Sequence, residues 1–187
     1  MCKKVAKRTR FYLKEKTYSA NKAEIKKEIQ KTYKRKEGLS DCKINRFLQS
    51  VPNFLGCFAQ DQLRSLVIHS LPVTLIVNFD NSTSSGSHWV AVRIDKKTIE
   101  IFDTLGFNTF HWPKIPYFFL YFLHKYSNRR TVKISQEIQP VGSSLCGFYC
   151  VFFVFHRLFH TFSDCTKSFS AKLYKNDLIL INLFNKI

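Results

Sequence analysis

The sequence lacks any CxxC pair, although its 187 residues include six cysteines, at positions 2, 42, 57, 146, 150 and 165. Disulfide scaffolds and zinc sites usually repeat their cysteines at short, regular spacings. The irregular spacing therefore argues against both kinds of site and favours a reducing compartment. We predict that the protein needs no metal and no other cofactor.

Long apolar segments are also absent. No run approaches the roughly 20 residues that span a bilayer, and the N-terminus, Met1–Arg8, lacks the apolar core of a signal peptide. The sequence shows no internal repeat and no low-complexity linker. These absences predict no membrane partner and no repeat architecture.

Acidic residues are scarce, with 13 aspartates and glutamates against 30 lysines and arginines and a net charge of +17. Residues 1–38 hold 14 of the lysines and arginines against four glutamates, a net charge of +10. Such an excess favours a polyanionic partner, nucleic acid before an acidic membrane surface. A solvated lysine-rich background is the alternative, and Lys3–Arg10 would also serve as a nuclear import signal. We assign residues 1–38 to a basic N-terminal extension and residues 39–187 to one compact domain.

Hydrophobic residues make up 45% of the chain and aromatic residues 16%, which is enough for a substantial core. Short β-branched runs predict strands, and longer periodic segments predict helices. The order of strands flanked by helices indicates an α+β fold. The predicted strands are Leu71–Phe79, His88–Ile94, Thr98–Asp103 and Thr131–Ile138, and the main predicted helices are residues 19–37, a short helix after Ser40, Pro113–Tyr126, a helix from Cys146, and Phe169–Asn185.

Cys146 opens a long apolar segment that we predict to be a helix. Backbone N–H groups and the positive end of the helix dipole favour a thiolate at that position, and the thiolate is the nucleophilic form. Gly147 follows it, and a glycine there would let a substrate backbone approach closely. The alternative is a buried structural thiol, as we expect for Cys150 one turn later.

Three other residues complete a candidate acyl-transfer site. His88 and Asp103 lie on the two arms of a predicted hairpin, within side-chain reach of each other. Gln139 lies seven residues before Cys146 and would supply an amide donor. Taken singly, His88 suits an ordinary strand, Asp103 a turn and Gln139 the surface; their joint occurrence in this order favours catalysis.

The order His88-Trp89, Asp103, then Gln139 and Cys146-Gly147 opening an apolar helix resembles the adenovirus-type cysteine proteases and their relatives, the SUMO-deconjugating proteases. The segments Leu39–Leu48 and Phe54–Leu63 also resemble the start of adenovirus-like proteases from small DNA viruses and virus-like transposons. The resemblance implies a central mixed β-sheet flanked by helices, in the papain-like fold of these proteases. It covers residues 39–160.

The resemblance implies that Cys146 is the nucleophile, His88 the general base, Asp103 the residue that orients His88, and Gln139 an oxyanion donor. It also implies cleavage of viral precursor proteins at glycine-containing sites during virion maturation, in the host nucleus and the virion, with DNA as a non-specific partner. Relatives use a disulfide-linked activating peptide, but the residue at that spacing here is Asn128, so an activating peptide would bind without the disulfide.

Two alternatives stay open at this point. A deconjugating protease for a ubiquitin-like protein would use the same four residues, acting in the nucleus or cytoplasm. A basic DNA-binding protein with an inert protease-like site would also fit the charge.

Overall fold

The computed structural model describes residues 22–106 and 115–186 of the chain. A five-stranded sheet forms its centre, with the strands in sequence order across the sheet. The strands are β1 Phe54–Ala59, β2 Val73–Asn78, β3 Trp89–Ile94, β4 Thr98–Phe102 and β5 Thr131–Ile134. The outer pairs β1–β2 and β4–β5 are parallel, and the inner pairs β2–β3 and β3–β4 are antiparallel. The predicted mixed sheet is confirmed.

Helices cover both faces of this sheet. One face packs against a core cluster that includes residues of α1, α2, α4, α5 and α6, and the other face packs against α3. The helices are α1 over residues 22–35, α2 Asp41–Leu48, α3 Tyr117–Ser127, α4 Cys146–His156, α5 Phe162–Lys167 and α6 Asn176–Lys186. Ser40 caps α2 by accepting a hydrogen bond from the Lys43 N–H, as its sequence position predicts.

Helix α4 is apolar on all sides, and every residue from Cys146 to Phe155 is buried. A helix of this kind is stable only inside a protein core. It packs on β3 and against α2 and α6, and Phe153 stacks on Phe102 of β4 with ring centroids 4.8 Å apart. This packing fixes the position of its first residue, Cys146.

The two faces of the β3–β4 hairpin pack into different core clusters. Val90, Val92 and Ile94 contribute to the cluster beneath α3, whereas Ala91 and Trp89 face the cluster around α4. The Asp95 N–H donates to the Thr98 carbonyl and closes the turn. His88 and Asp103 therefore lie at the open end of the hairpin, just outside the two strands.

Several element bounds differ from the sequence predictions. Strand β5 stops at Ile134 rather than residue 138, because the chain leaves the sheet and the N–H groups of Ile138 and Gln139 both donate to the Thr104 carbonyl. Strand β1 and helix α5 were not predicted at all. The last helix begins at Asn176, not at Phe169, because Ser170 to Lys175 form a loop and a short 3₁₀ turn.

Helix α3 begins at Tyr117, and the predicted start at Pro113 lies outside the described residues. Helix α1 contributes Ile25 and Ile29 to the core around α4. The division into an extension over residues 1–38 and a domain over residues 39–187 stays a prediction. Among the described residues, no helix has the length and apolar character that a bilayer crossing requires.

Candidate active site

His88 and Asp103 form a buried hydrogen-bonded pair at the open end of the hairpin. The distance from His88 Nε2 to Asp103 Oδ1 is 2.8 Å, and each residue is 1% exposed. The Leu105 N–H also donates to Asp103 Oδ1, at 3.0 Å. The Ser135 hydroxyl accepts from the Asp103 N–H and donates to the Asp103 carbonyl. Asp103 is thus held in place both at its carboxylate and at its backbone.

Cys146 lies on the other side of the imidazole, as the first residue of α4 and within hydrogen-bonding reach of His88. Because Nε2 of His88 faces Asp103, the nitrogen left for the thiol is Nδ1. The structure therefore brings the predicted carboxylate, imidazole and thiol together in line.

Burial alone would lower the pKa of His88. Hydrogen bonds from the imidazole to Asp103 and Cys146, together with their negative charges, overcome that effect and raise the pKa of His88 to about 9. An imidazolium next to the sulfur favours the thiolate form of a cysteine, which is the nucleophilic form. The geometry thus places a basic imidazole beside the sulfur, which is the arrangement that activates a cysteine nucleophile.

Cys150, one turn further along α4, has the opposite environment. Its thiol is fully buried and donates to the Trp89 carbonyl at 3.3 Å. Burial, followed by the charge of Cys146, raises the pKa of the Cys150 thiol far above its ordinary value. Cys150 is therefore a structural thiol, as the sequence indicated.

Gln139 is 2% exposed and makes two side-chain hydrogen bonds. Its Oε1 accepts from the Thr104 hydroxyl at 2.7 Å, and its Nε2 donates to the Ser143 carbonyl at 2.7 Å. These contacts fix which end of the amide is the donor. Sequence reasoning missed Thr104 and Ser143, although each lies within four residues of a predicted site residue.

The N-terminus of α6 holds the segment between Ile138 and Cys146. The Asn176 amide donates to the Ile138 carbonyl at 2.8 Å. Asp177 Oδ1 accepts from the Ser143 hydroxyl and from the Tyr149 hydroxyl, each at 3.0 Å. Burial raises the pKa of Asp177, and these two hydrogen bonds offset part of that rise. No local sequence signal linked these residues to the site.

Trp89 and Gly147 have structural roles beside the thiol. The Trp89 indole N–H donates to the Leu39 carbonyl at 2.8 Å. A Cβ at Gly147 would lie 2.9 Å from Leu39 Cβ and 3.3 Å from Trp89 Cδ1. The prediction that Gly147 admits a substrate backbone is therefore wrong, because the absent side chain makes room for Leu39.

A groove of about 470 Å³ leads to Cys146. Its walls are mostly polar and come from the segment around Leu39, the end of β1 and the Ser-rich loop 81–87. Asn78 fixes this loop, since its Oδ1 accepts from the Asp80 and Ser87 N–H groups. Gly86, with φ +88°, passes so close that a Cβ would lie 2.9 Å from Asn78 Nδ2.

The five cysteines among the described residues are free thiols. Within residues 22–106 and 115–186, no three histidine, cysteine or acidic side chains converge as metal ligands would.

The adenovirus endoprotease family model matches residues 54–175, about two thirds of the chain. The protease of bovine adenovirus 7 is 28% identical over 160 residues, which cover 75% of this chain and 71% of that protein.

The crystal structure of an ASFV protease superposes with a TM-score of 0.55 at 14% identity, covering 79% of this chain and 66% of that one, and shows a shared fold. The chain thus spans about two thirds of the length of the ASFV protease. A structure of the SUMO protease Ulp1 matches with a TM-score of 0.40, 20% identity and 82% of each chain, a likeness too weak to support an argument.

Proposed function

This chain belongs to the adenovirus endoprotease family and is a cysteine peptidase, and on that premise we propose that it is a viral or virus-derived endopeptidase. It cleaves precursor proteins at glycine-containing sites during virion maturation. The observation that carries the proposal is the buried His88 imidazole in contact with both Asp103 and Cys146, beside a groove that Cys146 lines.

In the proposed reaction, the Cys146 thiolate attacks the scissile carbonyl carbon and forms a tetrahedral oxyanion. The His88 imidazolium then gives its proton to the leaving amine as the C–N bond breaks, leaving an acyl-enzyme. Neutral His88 next takes a proton from water, which attacks the thioester. Collapse of the second tetrahedral species releases the carboxylic acid and restores the ion pair. Asp103 keeps Nε2 protonated and the ring oriented throughout.

Gln139 and the backbone N–H of Cys146 are the proposed oxyanion donors. An amide nitrogen carries two N–H groups, and only one is needed for the bond to the Ser143 carbonyl. The first N–H groups of a helix have no intrahelical acceptor, so the Cys146 N–H at the start of α4 suits the same oxyanion.

DNA is the proposed non-specific partner, because the chain carries a net charge of +17. The basic arm is best tested by removing residues 1–21, which hold seven lysines and arginines against one glutamate. A longer deletion would remove Ile25 and Ile29 from the core. Weaker binding and a flatter salt dependence after deletion would support the arm, whereas equal affinities at two salt concentrations would exclude it.

An activating peptide would bind without a disulfide, because Asn128, the residue that follows α3, has no thiol. We also propose a location in the host nucleus and the virion. We infer both the activating peptide and this location from the family to which the chain belongs.

The function is tested by incubating the full chain with virion precursor proteins and with a SUMO precursor, each with and without DNA. Mass spectrometry then locates the cut sites, and Cys146→Ala is the matched inactive control. Cuts after glycine in virion precursors support the proposal. Cleavage of the SUMO precursor alone would favour a deconjugating protease, and no cleavage of either would contradict the proposed reaction.

A further inference from the structure

A second cavity, of about 830 Å³, lies where the β3–β4 turn meets β5 and the chain that follows α4. We call it the basic cleft. Its charged lining consists of Arg93, Lys96, Lys97, Lys133 and Arg157, with Asp95 and Glu100. It lies at the far end of β3 from His88. Helix α4, which begins at Cys146 and ends next to Arg157, is about 16 Å long, so the basic cleft is separate from the catalytic groove.

Both carboxylates of the basic cleft are already engaged. Glu100 holds Arg157 through two contacts, Nε to Oε2 at 2.7 Å and Nη2 to Oε1 at 3.2 Å. Asp95 Oδ1 accepts from the N–H groups of Lys97 and Thr98 in the hairpin turn. In the part of the chain that the structure describes, Arg93 and the three lysines of the basic cleft form no salt bridge. The cleft thus carries more positive charge than its own acids neutralise.

Arg93 is the residue of the basic cleft whose hydrogen bonding is least complete. Its Nη1 donates to the Thr74 hydroxyl at 3.2 Å, but its Nε is buried without a hydrogen-bond partner. Burial and the charge of Arg157 lower the pKa of Arg93, although a guanidinium stays protonated in proteins. Buried donors are nearly always paired, so this unpaired N–H makes Arg93, which lines the basic cleft, the first candidate among its residues to bind an acceptor.

We propose that the basic cleft binds a compact anion with two or more phosphate groups. Arg93 holds one phosphate at the floor, with the planar fork that suits phosphate oxygens. Lys96, Lys97 and Lys133 surround the remaining charge from the rim. Arg157 contributes less, because Glu100 and the negative end of the α4 dipole already balance it. A free polyphosphate and the backbone of a nucleic acid share this phosphate chemistry.

Titration of the full chain with inorganic tripolyphosphate, followed by calorimetry, tests the proposal. Arg93→Met keeps the length of the side chain and removes the guanidinium, and it should weaken binding on the order of tenfold or more, the scale of one charge-assisted bidentate contact. Lys172→Met is the matched control: it removes one positive charge from an exposed position outside the cleft and should leave the affinity nearly unchanged. Circular dichroism and melting temperature verify folding.

If Arg93→Met fails to fold, Arg93→Lys replaces it as the test variant. Arg93→Lys keeps the positive charge but lacks the planar guanidinium, so it should weaken binding to a smaller extent than Arg93→Met. A parallel titration with a short DNA duplex separates the two sources. If Arg93→Met weakens the binding of tripolyphosphate but not of DNA, the ligand is a free polyphosphate. If it weakens the binding of both, the cleft binds the backbone phosphates of a nucleic acid. Failure of tripolyphosphate to bind the unmodified protein, or equal affinities of Arg93→Met and Lys172→Met for both ligands, would overturn the proposal.

Discussion

The described residues contain two thiol–imidazole pairs with similar contacts and opposite chemistry. One is Cys146 with His88, and the other is Cys165 with His156, whose Nδ1 lies 3.0 Å from the Cys165 sulfur. A short distance between sulfur and nitrogen therefore does not by itself make a nucleophile.

The difference lies in the third group that contacts each imidazole. His88 faces the Asp103 carboxylate, and its pKa rises to about 9. Burial, followed by the charge of His160, lowers the pKa of His156 to about 4 despite Asp164 nearby, and the His156 and His160 rings lie tilted with centroids 4.1 Å apart. An imidazole that is neutral at pH 7 cannot stabilise a thiolate by its charge.

The positions of the two sulfurs within their helices differ as well. Cys146 is the first residue of α4, where unpaired N–H groups favour a thiolate. Cys165 lies inside the short helix α5 and is fully buried, and burial raises the pKa of its thiol to about 12. The comparison indicates that a carboxylate partner and a helix start together distinguish a reactive cysteine from an inert one.

Removal of each sulfur should give the largest contrast. Cys146→Ala should lower turnover by a factor of about 10⁴ or more, since the nucleophile is lost. Cys165→Ala should leave turnover within a few-fold of the unmodified enzyme, at some cost in stability from the small cavity. Peptide cleavage assays measure both, and iodoacetamide labelling followed by mass spectrometry should find Cys146 modified first. Equal labelling of the two cysteines would contradict the comparison.

Without the Asp103 carboxylate, the Cys146–His88 pair should become as unreactive as the Cys165–His156 pair. Asp103→Ala should lower kcat by about 10²- to 10⁴-fold, because His88 loses both its orientation and its stabilising charge. The rate of Cys146 alkylation at neutral pH should fall in parallel. The melting temperature serves as the control for folding, since the Asp103 backbone contacts with Ser135 do not depend on its carboxylate. Unchanged kinetics would show that another group orients His88.

Gln139 lies beside the Cys146–His88 pair, and we assign no equivalent amide beside Cys165 and His156. Gln139→Ala should reduce kcat by about 10²-fold, the usual effect of losing one oxyanion donor, with little change in KM. Gln139→Glu keeps the shape but replaces the donor with a carboxylate, so it should be at least as slow. An increase in KM with kcat intact would assign Gln139 to substrate binding instead.

Asp177 supports the Cys146–His88 site indirectly, by accepting hydrogen bonds from the Ser143 and Tyr149 hydroxyls. Asp177→Ala should lower kcat by roughly tenfold, because loss of these two hydrogen bonds loosens the segment that positions Gln139. Asp177→Asn keeps an acceptor oxygen and should recover most of the loss. Steady-state kinetics of the two variants measure the effect; equal defects, or a change in stability without a change in kcat, would reduce Asp177 to a purely structural role.

Sequence patterns predicted the parts of the site that depend on local structure. A short turn at Asp95 fixes how the hairpin aligns, and that alignment brings His88 and Asp103 together. The apolar run after Cys146 can only be a buried helix, so its start is recognisable. The roles of the four site residues stay predictions, although the structure places His88 between Asp103 and Cys146.

Other features depend on contacts between distant segments and leave no local pattern. Strand β1 contains Gly56 at φ +132° and pairs in parallel with β2, so neither turn chemistry nor alternation reveals it. Strand β5 exposes Val132 and Ile134, and it ends because the following residues bond to Asp103 and Thr104. Asp177 looks like an ordinary acidic residue in the first turn of a helix until its partners are known.

The two imidazoles should affect stability in opposite pH ranges, which is the smallest effect expected. The pKa of His88 rises from 6.5 to about 9 on folding, so its contribution is fully present below pH 6.5 and is lost as pH rises through about 9. The pKa of His156 falls from 6.5 to about 4, so the unfolded chain binds that proton more readily. Stability is therefore lost as pH falls from 6.5 towards 4.

Urea unfolding of the unmodified protein, His88→Gln and His156→Gln over a pH series measures both effects. The difference in unfolding free energy between the unmodified protein and His88→Gln should shrink between pH 6.5 and 9. The corresponding difference for His156→Gln should change only between pH 4 and 6.5, and in favour of the variant as pH falls. Carboxylates that titrate in the same acid range cancel in this difference, because both proteins contain them. Parallel curves for the two variants would mean that the two pairs have the same charge state, and the comparison would then fail.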